Sequence, residues 1–123
     1  MILVGVMEGD TEDDMEWLAS KTANMRIFDD ENGVMNRSII DVEGEVLAVS
    51  QFTLAASTKK GNRPSYIRAA KHELAVPLYD KYCARLQELI GKEVKKGVFG
   101  ADMQVSLIND GPVTIIVDSK LRE

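Results

Sequence analysis

The sequence has 123 residues, 45% of them hydrophobic, which is enough for one packed core and too short for two. We therefore expect a single domain over residues 1–123. The only cysteine, Cys83, cannot form an internal disulfide, and there is neither a secretory pattern nor an apolar run near the ~20 residues that a membrane span needs. These features count against a disulfide-stapled secreted domain and against a membrane protein, and predict a cytoplasmic protein.

The formal net charge of −5 is unevenly distributed along the chain. Six acidic residues and no basic one lie between Glu8 and Glu16, whereas five basic residues and no acidic one lie between Ser57 and Lys71. Two surfaces of opposite sign follow, although each could be no more than a solvated face. A basic surface on an acidic protein is where an anionic partner would bind.

The N-terminal residues predict a strand followed by a helix. Met1–Val6 is apolar without polar alternation, which is typical of a strand covered on both faces. Thr11 is a suitable N-cap, and Asp14 follows it at the spacing of a capping box. The helix is expected from about Glu12 to Met25, with acidic residues in its first turn.

The next residues predict short strands joined by turns. Ile27–Phe28 enters a turn at Asn32-Gly33, a pair that tolerates positive φ angles. Ser38–Val42 and Val46–Leu54, separated by the turn Glu43–Glu45, have the pattern of a β-hairpin. The second of these strands is apolar at its start and polar near its end, where it could present side chains to a site.

The remainder of the chain predicts a second helix and two final strands. Pro77 suits the first position of a helix that runs to about Ile90 and ends at Gly91. The final strands are expected from apolar stretches on either side of the turn Asn109–Pro112, namely Phe99–Met103 with Val105–Ile108, and Val113–Val117. The predicted fold is α+β, with two main helices and a mostly antiparallel, barrel-like sheet.

Few residues offer familiar catalytic chemistry. Cys83 falls inside the second amphipathic helix and His72 lies among polar residues, so a Cys-His nucleophile is not expected. No cluster of His, Cys or acidic residues has metal-ligand spacing, and Lys60–Arg63 is not a nucleotide-binding glycine loop. What remains is the polar strand end at Ser50–Leu54, the basic loop Ser57–Ser65 and the turn at Gly111-Pro112.

These features carry a resemblance to a known family. The motifs are Ser50–Leu54 (SQFTL), Arg63–Ser65 (RPS), Phe99–Met103 (FGADM) and Asn109–Thr114 (NDGPVT). Together and in this order they resemble the D-aminoacyl-tRNA deacylases, which are enzymes of chiral proofreading in translation. The resemblance covers nearly the whole chain, and several motifs of this length in one order are a specific signal.

The resemblance implies a homodimer, with each active site at the subunit interface and no cofactor. It also implies hydrolysis of the ester that joins a D-amino acid to the terminal adenosine of tRNA, and of glycyl-tRNA mischarged on tRNA(Ala). An aminoacyl ester is already activated, so a water held by backbone N–H groups and the RNA 2′-hydroxyl can attack without a catalytic triad.

Roles for individual residues follow from the same resemblance. The catalytic motif corresponds here to Ser50, Gln51, Phe52 and Thr53; the threonine either acts directly or only lines the pocket while main-chain groups act. Gly111-Pro112, with a cis bond, is implied to reach into the partner subunit's site as a wall that rejects L side chains and lets glycine pass. The expected substrate-binding residues are Gly111, Pro112, Phe99, Met103, Lys59, Lys60 and Arg63.

One departure and two alternatives stay open. Relative to the family, the chain is expected to lack an N-terminal strand pair of roughly twenty residues, together with the arginine that helps to hold the glycine–proline loop. The main alternative is a non-catalytic dimer that binds tRNA or another nucleic acid through Lys59, Lys60 and Arg63. A general esterase, indifferent to RNA, is the other.

Overall fold

A computed structural model describes residues 1–123 as two helices packed on a small sheet. The elements are β1 (Ile2–Val4), α1 (Glu12–Asn24), β2 (Phe28–Asp29), β3 (Met35–Arg37), β4 (Val46–Ser50), a 3₁₀ helix (Phe52–Ala55), α2 (His72–Ile90) and β5 (Val94–Lys96). The α+β class with two main helices is confirmed.

The main sheet is parallel, so the prediction of a mostly antiparallel barrel is wrong. Its strand order is β1-β4-β5, with Ile2 opposite Ala48 and Val46 opposite Val94. α1 lies between β1 and β4 in the chain, and α2 lies between β4 and β5, so each connection can return the chain to start a parallel strand. The sheet does not close into a barrel.

One core lies between the helices and the sheet. α1 contributes Ala19 and Ala23, whose small side chains let α2 approach closely. Leu86 of α2 is fully buried, and Tyr79 donates a hydrogen bond of 3.1 Å to the carbonyl of Ala48 in the central strand. The position of β4 is thereby tied to α2, and the polar residues that follow β4 start from a rigid support.

The start of α1 agrees with its sequence signal. The Asp14 carboxylate accepts hydrogen bonds from the Thr11 N–H at 2.8 Å and from the Thr11 hydroxyl at 3.0 Å. The Lys120 ammonium donates to the same carboxylate at 2.7 Å. These donors hold the pKa of Asp14 well below its usual range, with the Lys120 hydrogen bond the largest cause.

The second helix begins five residues before the predicted start. It runs from His72 to Ile90 and contains Pro77 inside it, and it ends, as predicted, at Gly91 in the left-handed conformation. Proline removes one helical hydrogen bond, to the carbonyl of the exposed Glu73. Neither helix has the length and apolar character needed to cross a membrane.

The predicted hairpin before β4 does not form. Instead, the Ser38 N–H donates to the Asp41 carboxylate at 2.8 Å and the Asp41 N–H donates to the Ser38 hydroxyl at 3.1 Å, which closes a turn. Short polar side chains compete in this way with strand pairing. The antiparallel pair is β2 with β3, joined through the predicted turn, where Gly33 has φ +73°.

Two other strand boundaries differ from the prediction. β1 lies at the edge of its sheet with Leu3 exposed, so this strand is not covered on both faces. The predicted strand Val46–Leu54 ends at Ser50 and continues as a 3₁₀ helix, because the chain turns away beyond its last pairing with Val4.

The two final strands predicted within residues 99–117 are also absent. The residues from Gln104 to Ile116 are exposed and belong to no helix or strand. Their side chains have high strand propensity, but a strand forms only when a neighbouring backbone accepts its hydrogen bonds. No strand of the chain pairs with them, and this stretch, residues 104–116, is called the C-terminal segment below.

Candidate active site

The polar turn Ser50–Thr53 leaves the central strand next to the end of β1. The Gln51 N–H donates to the carbonyl of Val4 at 2.8 Å, which continues the pairing of the two strands by one step. Gly5 makes the close approach possible, since a Cβ atom there would lie 3.1 Å from the Leu54 Cβ. The motif is therefore held by both strands, at their C-terminal ends.

Within this turn, Gln51 and Thr53 form a pair. The Gln51 side-chain amide donates to the Thr53 hydroxyl at 2.5 Å. No histidine, lysine or carboxylate is bonded to this hydroxyl, and an amide is not a base at neutral pH. Gln51 therefore orients the Thr53 hydroxyl, and no basic side chain of this chain is bonded to it.

Phe52 points outward and connects the turn to the next loop. Its side chain is 57% exposed, and its ring stands edge-on to Tyr66 with 5.1 Å between the centroids. Arg68 adds a second link, because its guanidinium donates at 3.3 Å to the carbonyls of Ala55 and Ala56. Neither Tyr66 nor Arg68 was predicted as a site residue, and no single-residue signal in the sequence identifies them.

The basic loop is closed at its base and open at its tip. Two backbone hydrogen bonds, 2.8 and 2.9 Å long, join Ser57 to Ser65. Lys59, Lys60 and Arg63 lie exposed between them, and none of the three forms an ion pair. Their charges are free to meet an anion. The acidic residues Glu12 and Glu16, by contrast, pair with Lys81 and Arg85 of α2.

Phe99 and Met103 lie against other parts of the core. The half-buried Phe99 ring packs edge-on against Tyr79 and His72, at centroid distances of 5.7 and 5.4 Å. Met103 lies beside Gly97, where a Cβ atom would approach its sulfur to 2.6 Å.

Gly111-Pro112 lies in the exposed C-terminal segment, and its peptide bond is cis. Gly111 has φ +132°, and a Cβ atom there would meet the Val113 nitrogen at 2.9 Å, so only glycine fits. The Asn109 side chain spans the turn: it accepts from the Val113 N–H at 3.2 Å and donates to the Thr114 hydroxyl at 3.1 Å.

Cys83 and His72 are separated on one helix. They lie eleven residues apart on α2, about 16 Å along its axis. Cys83 is buried, which raises the pKa of its thiol and disfavours the thiolate. The two side chains cannot form a nucleophile–base pair.

No three His, Cys, Asp or Glu side chains are grouped so that they could hold a metal ion. A surface cavity of about 380 Å³ lies along α1, beside Trp17, Lys21 and Arg26, and contains none of the predicted site residues. The candidate site is thus the polar turn with its basic loop.

The elements that carry this site, two helices and a small parallel sheet, place the chain among small α+β domains. The sequence matches the D-Tyr-tRNA(Tyr) deacylase family over residues 1–118, and the chain belongs to that family. The family predicted from the four motifs is confirmed.

Similar proteins agree with this assignment. D-aminoacyl-tRNA deacylases of Bacteroides fragilis (strain YCH46) and Parabacteroides distasonis are 63% and 58% identical over 123 residues, which are all of this chain and 82% of each relative. The predicted enzyme class, a hydrolase of the deacylase type, is confirmed by these relatives.

Two solved structures share the fold. One, described as "c-Myc DNA Unwinding Element Binding Protein", has a TM-score of 0.85 and 40% identity, covering 92% of this chain and 76% of that one. The other, "Structural Analysis of a probable eukaryotic D-amino acid tRNA deacylase", has a TM-score of 0.68 and 15% identity, covering 81% and 74%. The second likeness concerns the fold alone.

Proposed function

We propose that this chain, as one domain, hydrolyses the ester of D-aminoacyl-tRNA and releases the D-amino acid and the tRNA. The observation that carries the proposal is the SQFTL motif in a turn held by both β1 and β4, in a chain 63% identical to a D-aminoacyl-tRNA deacylase. Such proofreading belongs in the cytoplasm, where aminoacyl-tRNA is used.

The chemistry needs no nucleophilic side chain. Thr53 lacks a base and is bonded to Gln51, which supports a positioning role for its hydroxyl. The N–H groups of Phe52 and Thr53 begin a 3₁₀ helix and so have no acceptor within that helix. They are suited to stabilise the oxyanion that forms when water, oriented by the RNA 2′-hydroxyl, attacks the ester.

The RNA is bound by charge and by stacking. Lys59, Lys60 and Arg63 carry unpaired positive charges suited to the phosphates next to the ester. Phe52 is the exposed ring of the motif and can stack on the terminal adenine, whereas the Phe99 ring is occupied by Tyr79 and His72. Phe99 and Met103 then contribute packing that supports the pocket, and do not bind the RNA directly.

Chiral selection is assigned to the Gly111-Pro112 turn of a second copy. The turn is exposed on a segment without strand partners, which is compatible with insertion into another subunit's site in a homodimer. A rigid turn opposite the ester would exclude an L side chain, leave room for a D side chain and pass glycine, including glycine misattached to tRNA(Ala).

A nucleic-acid-binding module without turnover is the second candidate. It is favoured by the basic loop and by the similar structure at 40% identity, whose description names binding to a DNA unwinding element. Under that function, the unpaired charges of Lys59, Lys60 and Arg63 would account for nucleic-acid binding, and the polar turn would have no catalytic role.

The test is deacylation of D-tyrosyl-tRNA and L-tyrosyl-tRNA by this chain at matched enzyme concentration. We expect loss of the D ester only, and a Thr53→Ala variant that keeps activity within about tenfold. Removing a true nucleophile costs on the order of 10⁶-fold. RNA binding without turnover of either ester would favour the binding module, and turnover of small esters that ignores the RNA would indicate a general esterase.

A further inference from the structure

The Gly111-Pro112 turn is held by one side chain. The Asn109 carboxamide accepts the Val113 N–H at 3.2 Å and donates to the Thr114 hydroxyl at 3.1 Å. Its two partners follow the Gly111-Pro112 pair, while Asn109 precedes it. The side chain therefore bridges both sides of the turn, and this arrangement is called the Asn109 bracket below.

These are the only hydrogen bonds formed by residues 104–116. The segment has no helix, strand or ion pair, and Ile108 and Ile116 are more than 90% exposed. An exposed stretch without backbone hydrogen bonds has many competing conformations. Among the contacts within one chain, the shape of the turn consequently depends on Asn109.

Gly111 acts on the same amide as Asn109. A Cβ atom at Gly111 would lie 2.9 Å from the Val113 nitrogen, the atom whose hydrogen Asn109 accepts. Glycine leaves room for the Val113 N–H, and Asn109 then fixes its direction. Both residues thus act on the geometry of the Val113 N–H.

We propose that Asn109 is a positioning residue for chiral selection, because its bracket fixes the Gly111-Pro112 turn that excludes L side chains. The inference rests on the proposed function of this turn. Excluding an L side chain requires a turn that keeps its conformation. If the bracket is lost and the Gly111-Pro112 turn moves, the L ester is admitted and the D ester is misplaced. Displacements of about 1 Å in enzyme sites change rates by up to about 10²-fold.

The first experiment compares kcat/KM for D-tyrosyl-tRNA and L-tyrosyl-tRNA in Asn109→Ala and in Asn109→Asp. We expect the D/L ratio to fall about 10- to 100-fold in Asn109→Ala. Asn109→Asp keeps an acceptor for the Val113 N–H and for the Thr114 hydroxyl, so it should retain most of the ratio. The matched control is Asn32→Ala, an exposed asparagine in the β2–β3 turn, which should change neither rate.

A second measurement tests the Asn109 bracket independently of enzyme activity. Amide hydrogen exchange at Val113 should be several-fold faster in Asn109→Ala than in the natural chain, and restored in Asn109→Asp. Thr114→Val should weaken the bracket and Thr114→Ser should preserve it, since serine keeps the hydroxyl.

The outcomes separate this inference from the function on which it rests. Equal Val113 exchange in the natural chain and Asn109→Ala would overturn the bracket. Equal loss of both ester rates, with the D/L ratio kept, would reduce Asn109 to a general structural role and also overturn the inference. Failure of the natural chain to hydrolyse either ester would instead count against the proposed function, whatever the exchange data.

Discussion

The helices α1 and α2 with the sheet β1-β4-β5, called the packed layer below, are stabilised differently from the C-terminal segment. In the layer, apolar side chains such as Leu86 and Val46 are buried between α2 and the sheet. In the segment, Ile108 and Ile116 are exposed, and the only internal hydrogen bonds come from Asn109. Burial determines the first conformation and a single polar side chain determines the second.

The ends of the segment, unlike its middle, are attached to the layer. Met103 lies against Gly97 before it, and Lys120 bonds to the buried Asp14 after it. The Arg122 guanidinium lies 4.5 Å from the centroid of the Trp17 ring. The Gly111-Pro112 turn thus lies between two attachment points, Met103 and Lys120, which are called anchors below. Between them the segment has only local hydrogen bonds, which suits a segment proposed to pack on another subunit.

The largest expected effect comes from the layer. Leu86→Ala removes the fully buried side chain between α2 and the sheet and leaves a cavity. We expect the free energy of unfolding to fall by about 2–5 kcal/mol, measured by urea denaturation at pH 7. A loss below about 1 kcal/mol would mean that the layer relaxes into the space and is not closely packed there.

An intermediate effect is expected at the anchor. Asp14→Asn removes the carboxylate that Thr11 and Lys120 share, and should cost about 1–3 kcal/mol at pH 7. Because the folded pKa of Asp14 lies below its unfolded value, this stability is present above pH ~4 and is lost as the pH falls toward the folded pKa.

The corresponding measurement is urea unfolding at pH 7 and pH 3. The difference between the natural chain and Asp14→Asn should shrink at the lower pH. Asp13→Asn is the matched control, because Asp13 lies exposed in the same helical turn without a hydrogen-bond partner, and it should cost less than about 0.5 kcal/mol. A pH-independent difference would indicate that Asp14 acts through packing, not charge.

The smallest change in the free energy of unfolding of a single chain is expected for substitutions in the C-terminal segment. Ile116 is 93% exposed, so Ile116→Ala should change the free energy of unfolding by less than about 0.5 kcal/mol in dilute solution. A second effect should depend on protein concentration. If two copies bury this segment against each other, Ile116→Ala should weaken dimerisation, measured by sedimentation over a range of protein concentrations. A large loss of stability independent of concentration would show that the segment is buried within a single chain.

Local signals predicted the features that depend on neighbouring residues. Thr11 and Asp14 begin α1 as a capping box, Gly91 ends α2, and Asn32-Gly33 makes the β2–β3 turn. The motifs that identify the family are equally local, since each is a short run of consecutive residues. The roles of the individual site residues stay proposals, because each depends on where a bound RNA and a second subunit would lie.

Sequence by itself therefore determined the start of α1, the end of α2, the β2–β3 turn and the family, because a cap, a left-handed glycine or a motif is encoded within a few residues. Only the tertiary structure decided that β1, β4 and β5 run parallel and that residues 104–116 form no strand. The physical reason is that strand direction and strand existence depend on distant backbone hydrogen bonds. Val113–Val117 has the side chains of a strand, but no neighbouring backbone in this chain accepts its pairing.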